Sequence, residues 1–137
     1  MNVSIVPKQH IDDVWDSVRN QILPAVKVTN GRYMLYDVYM ALKQGAYQLW
    51  ICFDDEQKIE SSVVTSIVDY PSKRVLSVLF VGGKDVARWK DDTMQILVRW
   101  AEDNKCAAIE SYGRKAWGRI MNTYGIKPGL IMFEKDI

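Results

Sequence analysis

The sequence predicts an α+β fold in which helices pack on a mixed β-sheet, and three observations support this class. Apolar residues recur with helical or strand-like spacing in the order β-α-α-β-β-β-α-β-α-β. The three middle strands are joined by short turns, which favours an antiparallel meander. A long helix then connects two strands, and such a crossover is typical of parallel neighbours.

Length and composition predict one folded domain over residues 1–137. The chain has 137 residues, 48% of them hydrophobic and 26% charged, values close to those of ordinary globular proteins. A domain of this size can bury about two-thirds of the surface of its unfolded chain. These values exclude an intrinsically disordered chain.

Charge and cysteine usage predict a cytoplasmic protein that does not bind membranes. Lys plus Arg number 18 and Asp plus Glu 17, so the net charge of +1 gives no strong signal for nucleic acid. No apolar run reaches the roughly 18 residues of a membrane span, and no signal peptide is evident. Cys52 and Cys106 lie in apolar stretches and are expected to be buried free thiols. One histidine and the absence of a CxxC pair argue against a zinc site, so no metal is expected.

The first half of the chain predicts one strand, two helices and then two strands. Residues Asn2 to Val6 suit a strand that ends at Pro7. A helical stripe follows, and Pro24 is expected to stop it; its members are Ile11, Val14, Trp15, Val18 and Ile22. Asn30-Gly31 marks a turn. A second stripe ends near Gly45 and contains Met34, Val38, Ala41 and Leu42. The first two strands of the meander are Tyr47 to Phe53 and Ile59 to Tyr70.

The second half predicts the crossover and the end of the sheet. The third meander strand, Val75 to Val81, is expected to break at Gly82-Gly83. A helix from Lys84 or Asp85 to Asn104 then leads to a parallel strand, Ala107 to Tyr112. A shorter helix ends at Gly125 and carries Trp117, Ile120, Met121 and Tyr124. Leu130 to Glu134 is expected to close the sheet as a last strand.

The C-terminal third, AAIESYGRKAWGRIMNTYGIKPGLIMFEKDI, resembles the strand, short helix, turn and closing strand of the GNAT superfamily of N-acetyltransferases. The predicted element order extends this resemblance over almost the whole chain. The stretch VLFVGGKDVARWKDD and the segments after it are also similar to small GNAT-like proteins encoded by tailed bacteriophages. The resemblance implies transfer of an acyl group from acetyl-CoA, or another acyl-CoA, to an amine. It places the donor where Val75 to Val81 and Ala107 to Tyr112 splay apart.

The resemblance also implies a backbone loop that holds the pyrophosphate at the start of the long helix, where free N–H groups and close-approaching glycines favour an anion. One alignment places Arg88 at the basic position, with Asp91 and Thr93 where glycines belong. The other uses Gly82-Gly83-Lys84, directly after Val81. A plain strand-to-helix turn is a third interpretation of the two glycines.

A basic and aromatic cluster after the splayed strand offers further phosphate contacts. Arg114 and Arg119 are the candidates, because a guanidinium is a forked donor; Tyr112, Lys115 and Trp117 accompany them. The same cluster is also typical of an amphipathic helix with Trp117 inward, or of a partner surface.

The resemblance implies a tyrosine that protonates the departing thiolate, but alignment with the family pattern FYEKLGFKP places Met121 there. Met121 cannot donate a proton, so Tyr124 or Tyr112 is the candidate acid. Glu110 is the candidate general base on the splayed strand, beside Ser111. Glu60 and Ser61 begin the strand antiparallel to Val75–Val81 and are expected to approach the same end of the sheet. Strand alternation predicts that Glu110 and Tyr112 point to one face of the sheet and Ser111 to the other.

Two functions are therefore predicted. The first is an N-acyltransferase whose acceptor amine lies near the loop from Asn30 to Tyr36, since the family uses that loop. The second is a non-catalytic GNAT-fold module for binding or assembly, favoured by the missing glycine pattern and by Met121. A homodimer is a further expectation.

Overall fold

The computed structural model describes all 137 residues. Strand β1 (Asn2–Val6) is followed by a 3-10 turn (Lys8–His10) and by helices α1 (Ile11–Lys27) and α2 (Leu35–Lys43). The meander comprises β2 (Gln48–Phe53), β3 (Ile59–Tyr70) and β4 (Lys73–Gly83). Helix α3 (Val86–Asp103), β5 (Ala108–Ser111), a second 3-10 turn (Lys115–Trp117) and α4 (Gly118–Thr123) complete the regular structure.

The five strands form one mixed sheet in the order β1-β2-β3-β4-β5. The first four are antiparallel to their neighbours, while β4 and β5 are parallel. The predicted α+β class and the parallel pair joined by the long helix are therefore confirmed. None of the helices combines the length and the apolar character needed to cross a membrane.

Apolar side chains cover both faces of this sheet. Helices α1 and α2 pack on one face, where Val18, Ile22 and Leu42 meet Leu49 and Phe80. Helix α3 packs on the other face through a second cluster, whose buried members are Trp50, Val63, Leu76, Val78, Leu97 and Ala101. The sheet is therefore enclosed between two helical layers, and only its strand ends and its edges are open for chemistry.

Pro24 does not stop the first helix, which continues to Lys27 with Pro24 inside it. A proline removes one helical hydrogen bond and crowds the preceding turn. However, Ile22 on one side of Pro24 and Val26 on the other are both at least 97% buried in the core. The burial of Val26 holds the last turn of α1 against the sheet and outweighs the cost of the proline.

Two other predicted boundaries are wrong. Gly82 and Gly83 do not break the strand, because they pair with Ser62 and Ser61 as the last residues of β4. Leu130 to Glu134 does not form a strand: residues 127–137 have no regular structure and no backbone–backbone hydrogen bond. An apolar run forms a strand only when it has an edge to pair with, and this segment lies on none.

Candidate functional site

The parallel strands β4 and β5 diverge at one end of the sheet. They pair from Val75 opposite Ala108 to Val78 opposite Ser111, and β4 then continues alone to Gly83. The last link is a long one, 3.5 Å from the Tyr112 nitrogen to the Val78 carbonyl oxygen. Beyond it, residues 79–83 of β4 have no partner in β5, and this unpaired end of the two strands is the wedge. The resemblance implies that an acyl-CoA lies at this unpaired end, and that contact stays a prediction.

A β-bulge lies at the apex of this wedge. Val64 pairs with Phe80 and Thr65 pairs with Val78, so Leu79 has no partner across β3. A bulge bends its strand and re-aims the backbone groups next to it. The backbone of β4 that faces the wedge is therefore both free of β5 and locally redirected.

An apolar pocket adjoins the wedge on the α3 side of the sheet. Its cavity volume is about 40 Å³, so it is a narrow apolar recess with room for only a few water-sized groups. The sheet contributes Val78, Val81, Ile109 and Ser111. The helices contribute the other walls, which include Trp89, Lys90, Thr93, Met94, Leu97, Trp117, Ile120, Met121 and Tyr124. The recess is therefore lined almost entirely by apolar side chains from both the sheet and the helices.

Tyr124 and Lys90 form the polar part of this pocket. The Tyr124 hydroxyl donates to the Asp91 carboxylate, and the Lys90 ammonium lies 3.5 Å from the Tyr124 oxygen and 5.4 Å from the centre of its ring. Partial burial and the Asp91 carboxylate raise the pKa of Tyr124, so the phenol stays protonated at neutral pH. Tyr124 is thus not a plain core residue, and it reaches the pocket that Met121 also lines.

Glu110 is held on the opposite face of the sheet by three hydroxyl groups. The Tyr70 hydroxyl lies 3.1 and 3.0 Å from its two carboxylate oxygens, the Tyr112 hydroxyl 3.0 Å away and the Ser77 hydroxyl 3.2 Å away. Hydrogen bonding with Tyr70, partial burial and Glu110 together raise the pKa of Tyr112. Strand alternation places Ser111 in the pocket and its neighbour Glu110 on the other face, as predicted.

The two glycines before α3, Gly82 and Gly83, lie in close contact with neighbouring backbone. A Cβ added at Gly82 would lie 1.9 Å from the carbonyl oxygen of Gln21 in α1, and one added at Gly83 would lie 2.5 Å from the carbonyl oxygen of Glu60. Gly83 also has φ +137°, which favours glycine. Both residues therefore let backbone segments approach closely within the fold. Their predicted contact with a pyrophosphate stays a prediction.

The connection from β4 to α3 contains only Lys84 and Asp85. Lys84 uses its carbonyl oxygen to accept the Trp89 indole N–H at 2.7 Å. Asp85 precedes α3 with a left-handed backbone, and its side chain makes no hydrogen bond that caps the helix. The first turn of α3, which begins at Val86, contains no acidic residue. Arg88 lies 3.5 Å from the Glu60 carboxylate, with both groups at the wedge end of the sheet.

The basic cluster after β5 is exposed. Arg114, Lys115 and Arg119 make no ion pair, and Lys115 belongs to a 3-10 turn, so it does not share an α-helical face with Arg119. Trp117, by contrast, turns inward and lines the pocket. The two guanidinium groups are therefore exposed and free to bind an anion.

The loop between α1 and α2 approaches the bulge from the Glu110 face. Tyr33 packs edge-on against Phe80 of β4, with ring centres 5.4 Å apart. Arg32 in the same loop binds the Glu134 carboxylate at 2.5 Å, and Asn30 also donates to Glu134. The predicted acceptor loop is thus beside the strand that carries the bulge.

Sequence reasoning did not find Tyr70, Ser77 or Lys90. Tyr70 and Ser77 meet Glu110 only because the register of β3, β4 and β5 brings them together, and register is not visible in the sequence. Lys90 carries a readable signal, since it lies one residue after Trp89 on the amphipathic helix. The thiol prediction is half confirmed: both cysteines are free and Cys52 is buried, but Cys106 is only partly buried.

Known acetyltransferase structures share this arrangement of helices and strands. A predicted acetyltransferase from Clostridium acetobutylicum, solved with acetyl-CoA, superposes with a TM-score of 0.73 at 15% identity over 98% of this chain and 95% of its own. The aminoglycoside antibiotic 6'-N-acetyltransferase of Acinetobacter baumannii gives 0.69 at 15% identity over 99% and 98%. The ribosomal-protein-alanine N-acetyltransferase of Brucella melitensis gives 0.65 at 12% over 100% and 99%.

The fold is that of the GNAT acetyltransferases. No protein-family model matches the sequence, and no curated protein matches it either. At these low identities the likeness establishes the fold, which confirms the predicted GNAT-like architecture, and leaves the reaction to be argued from the site.

Proposed function

We propose that the protein is an N-acyltransferase that moves an acyl group from acetyl-CoA, or a related acyl-CoA, to an amine. One observation carries the proposal: where the pairing of β4 with β5 ends, Ser111 lines an apolar pocket on one face of the sheet and its neighbour Glu110 contacts three hydroxyl groups on the other. A thioester donor and an amine acceptor need such separate approaches to a single point.

The residues on the pocket side fit the extended arm of an acyl-CoA. Its amide groups would find the backbone groups of β4 that β5 leaves free beyond Val78, and its apolar parts would lie against Val81 and Trp117. Lys84, Arg88, Arg114 and Arg119 would meet its phosphates, together with free N–H groups in the first turn of α3.

The Glu110 side would handle the acceptor. When bound, the donor supplies a thioester carbon that an amine attacks directly, forming a C–N bond as the C–S bond breaks. Glu110 would take the proton released by the amine, since an anionic carboxylate held by Tyr70, Tyr112 and Ser77 is oriented to accept it. Tyr112 is the more exposed member of this group, at 58%, and would contact the acceptor itself.

Tyr124 would donate a proton to the departing sulfur from the pocket side. Its hydroxyl is protonated at neutral pH and shares its surroundings with the Lys90 ammonium. A cation 3.5 Å from the phenol oxygen stabilises the negative charge that proton donation would leave there. The base and the acid would thus act from opposite faces of one sheet.

Calorimetric titration with acetyl-CoA, followed by thiol-release assays over a panel of amines, tests the proposal. We expect saturable binding and turnover with at least one amine. Glu110→Gln should lower kcat by about 100-fold or more, the size of a lost general base, with acetyl-CoA affinity unchanged. Glu56→Gln is the matched control, because Glu56 lies in an exposed turn and its side chain makes no hydrogen bond. Absence of binding at millimolar acetyl-CoA would refute the proposal.

The short connection between β4 and α3 favours a second function, a GNAT-fold module for binding or assembly without catalysis. Two residues replace the longer glycine loop that the resemblance implies, and Gly82 and Gly83 are filled by packing. Substitution of Arg114 and Arg119 by Ala separates the two functions. An enzyme should bind acetyl-CoA more weakly, whereas a module should keep its thermal stability and ignore acetyl-CoA in both forms.

We propose a cytoplasmic setting and a phage origin for either function. The free thiols of Cys52 and Cys106 favour the cytoplasm, where thiols stay reduced. The likeness to small phage-encoded GNAT proteins in the stretch from Val78 to Asp92 favours a phage origin.

A further inference from the structure

A groove lies between helices α1 and α2, away from the wedge and its pocket. Its cavity volume is about 230 Å³, against about 40 Å³ for the recess on the α3 side of the sheet. Six side chains line it: Trp15, Asp16, Arg19, Leu35, Tyr36 and Tyr39. Four of the six are aromatic or aliphatic and two are charged, and a mostly apolar lining with a few polar groups is typical of small-molecule sites.

The apolar wall of the groove is fixed by the core. Trp15, Leu35 and Tyr39 are partly buried and pack against the buried cluster beneath the two helices. The ring centres of Trp15 and Tyr39 are 5.1 Å apart, with the ring planes tilted by 47°. Tyr36 completes the wall on the open side and is 67% exposed. Rings that are already held in place bind an apolar group with a small loss of side-chain entropy.

At one end of the groove, the protein already binds an ammonium group of its own. The Lys43 ammonium contacts the Asp12 carboxylate and lies 5.7 Å from the centre of the Tyr39 ring. The Tyr39 hydroxyl donates to the other oxygen of Asp12 at 2.6 Å. A carboxylate beside an aromatic ring is therefore the arrangement that holds a primary ammonium on this surface.

The same arrangement recurs one helical turn further along the groove. Asp16 follows Asp12 by four residues in α1, and Tyr36 precedes Tyr39 by three residues in α2. The second carboxylate and the second ring line the same groove, but no lysine or arginine pairs with Asp16.

The groove also contains an unpaired positive charge. Arg19 is exposed, and its guanidinium forms no ion pair with Asp16 or with any other carboxylate. A guanidinium is a forked donor that suits a carboxylate. The groove therefore offers one negative and one positive group beside an aromatic wall, and a ligand with both charges would pair them together.

We propose that this groove binds an α-amino acid with a large apolar side chain. Asp16 binds its ammonium group, and Arg19 binds its carboxylate. The apolar side chain lies against Trp15 and Tyr36, where ring contacts are favourable. A plain amine would leave Arg19 unpaired and a plain carboxylic acid would leave Asp16 unpaired, so the charges select the amino acid. The site shares no residue with the candidate acyltransfer site, and the proposal does not depend on catalysis.

Titration of the ¹⁵N-labelled protein with L-phenylalanine, followed in amide and indole spectra, tests the proposal. We expect saturable shifts centred on the Trp15 indole and on the amides of α1 and α2. Two matched probes each lack one charge: phenethylamine has no carboxylate and 3-phenylpropionate has no ammonium. Each should bind about three- to fivefold more weakly than L-phenylalanine, the value of one exposed ion pair.

Two variants identify which side chain binds which charge. Asp16→Asn should weaken L-phenylalanine by the same factor and leave 3-phenylpropionate unchanged. Arg19→Gln should weaken L-phenylalanine and leave phenethylamine unchanged. Asp13→Asn is the matched control, because it removes a carboxylate from an exposed residue of α1 that does not line the groove, and it should bind like the wild type. All three replace exposed side chains, so the variants should fold.

Three results would overturn the proposal. One is the absence of shifts up to the solubility limit of L-phenylalanine. Another is equal binding of the three probes, because the groove would then be an apolar surface that does not recognise charge. The third is a set of shifts centred on β5, because the amino acid would then bind at the Glu110 cluster.

Discussion

Replacing Gly82 by alanine tests whether this glycine serves packing or phosphate binding. A Cβ at this position would lie 1.9 Å from the Gln21 carbonyl oxygen and 2.3 Å from its carbon, whereas ordinary Cβ contacts begin near 3.4 Å. Helix α1 would therefore have to retreat from β4 by about 1.5 Å, the difference between 3.4 and 1.9 Å. The obstacle is helix backbone, which cannot rotate aside as a side chain can.

The cost follows from the packing that the retreat would disturb. The α1 residues next to the contact include Val18 and Ile22, both fully buried against the sheet. Overpacking in a close-packed core costs about 1–3 kcal/mol, and a shift of backbone belongs at the upper end. For a domain of this size, about 3 kcal/mol lowers Tm by roughly 10 °C.

Thermal unfolding followed by circular dichroism measures this effect. Gly118→Ala is the control, because Gly118 has helical angles of φ −56° and ψ −36° and no heavy atom within 4 Å of an added Cβ. That change should raise the stability by about 0.5–1 kcal/mol. If Gly82→Ala keeps the wild-type Tm while acetyl-CoA binding is lost, the packing argument is refuted and the phosphate role of Gly82 is supported.

Three further outcomes are expected. Burial and the Tyr33 hydroxyl raise the pKa of Tyr47 from 10.0 to about 12, so the folded state holds this proton more tightly than the unfolded state. The free energy of unfolding should therefore fall as the pH rises from 10 to 12, and Tyr47→Phe should flatten that fall in urea titrations. Burial raises the pKa of the Cys52 thiol, which is 2% exposed. In a Cys106→Ser background it should react with a thiol reagent only as fast as the protein opens, and rapid labelling of the native state would contradict this. Tyr70→Phe removes the hydroxyl that contacts both oxygens of Glu110, so kcat should fall about tenfold, the value of one hydrogen bond to a charged group. An unchanged kcat would show that Tyr70 does not position the carboxylate.

The fold was predictable because the buried side of a helix or strand requires apolar residues at regular intervals in the sequence. In α3, Trp89, Thr93, Leu97 and Ala101 are the buried residues, and their spacing of four is that of one helix face. The long crossover and the parallel pair follow from it. The wrong boundaries share one cause. Local sequence preference alone predicts a helix end at Pro24 and a strand over Leu130 to Glu134. Tertiary contacts decide the outcome in both places. Val26 is buried in the core and keeps the helix intact, whereas Leu130 is fully exposed and has no strand to pair with.

Only those features of the candidate site that depend on one strand were predictable from the sequence. Alternation within β5 is enough to separate Glu110 from Ser111. The bulge at Leu79 and the meeting of Tyr70 with Glu110 both depend on pairing registers between strands. Tyr70 is 40 residues from Glu110 in sequence, and no local pattern links them. The packing role of Gly82 was equally hidden, because it arises from Gln21 in a different layer.

In the proposed reaction, the sheet separates the residues that bind the acyl donor from those that act on the acceptor amine. Neighbouring residues of β5 point to opposite faces, so Ile109 and Ser111 belong to the apolar pocket while Glu110 belongs to the hydroxyl cluster. Beyond Val78, β4 has no partner in β5. If the proposed reaction is correct, substitutions on the pocket face should act first on donor binding and those on the Glu110 face on kcat. The two sets should combine additively, because no side chain contacts both groups.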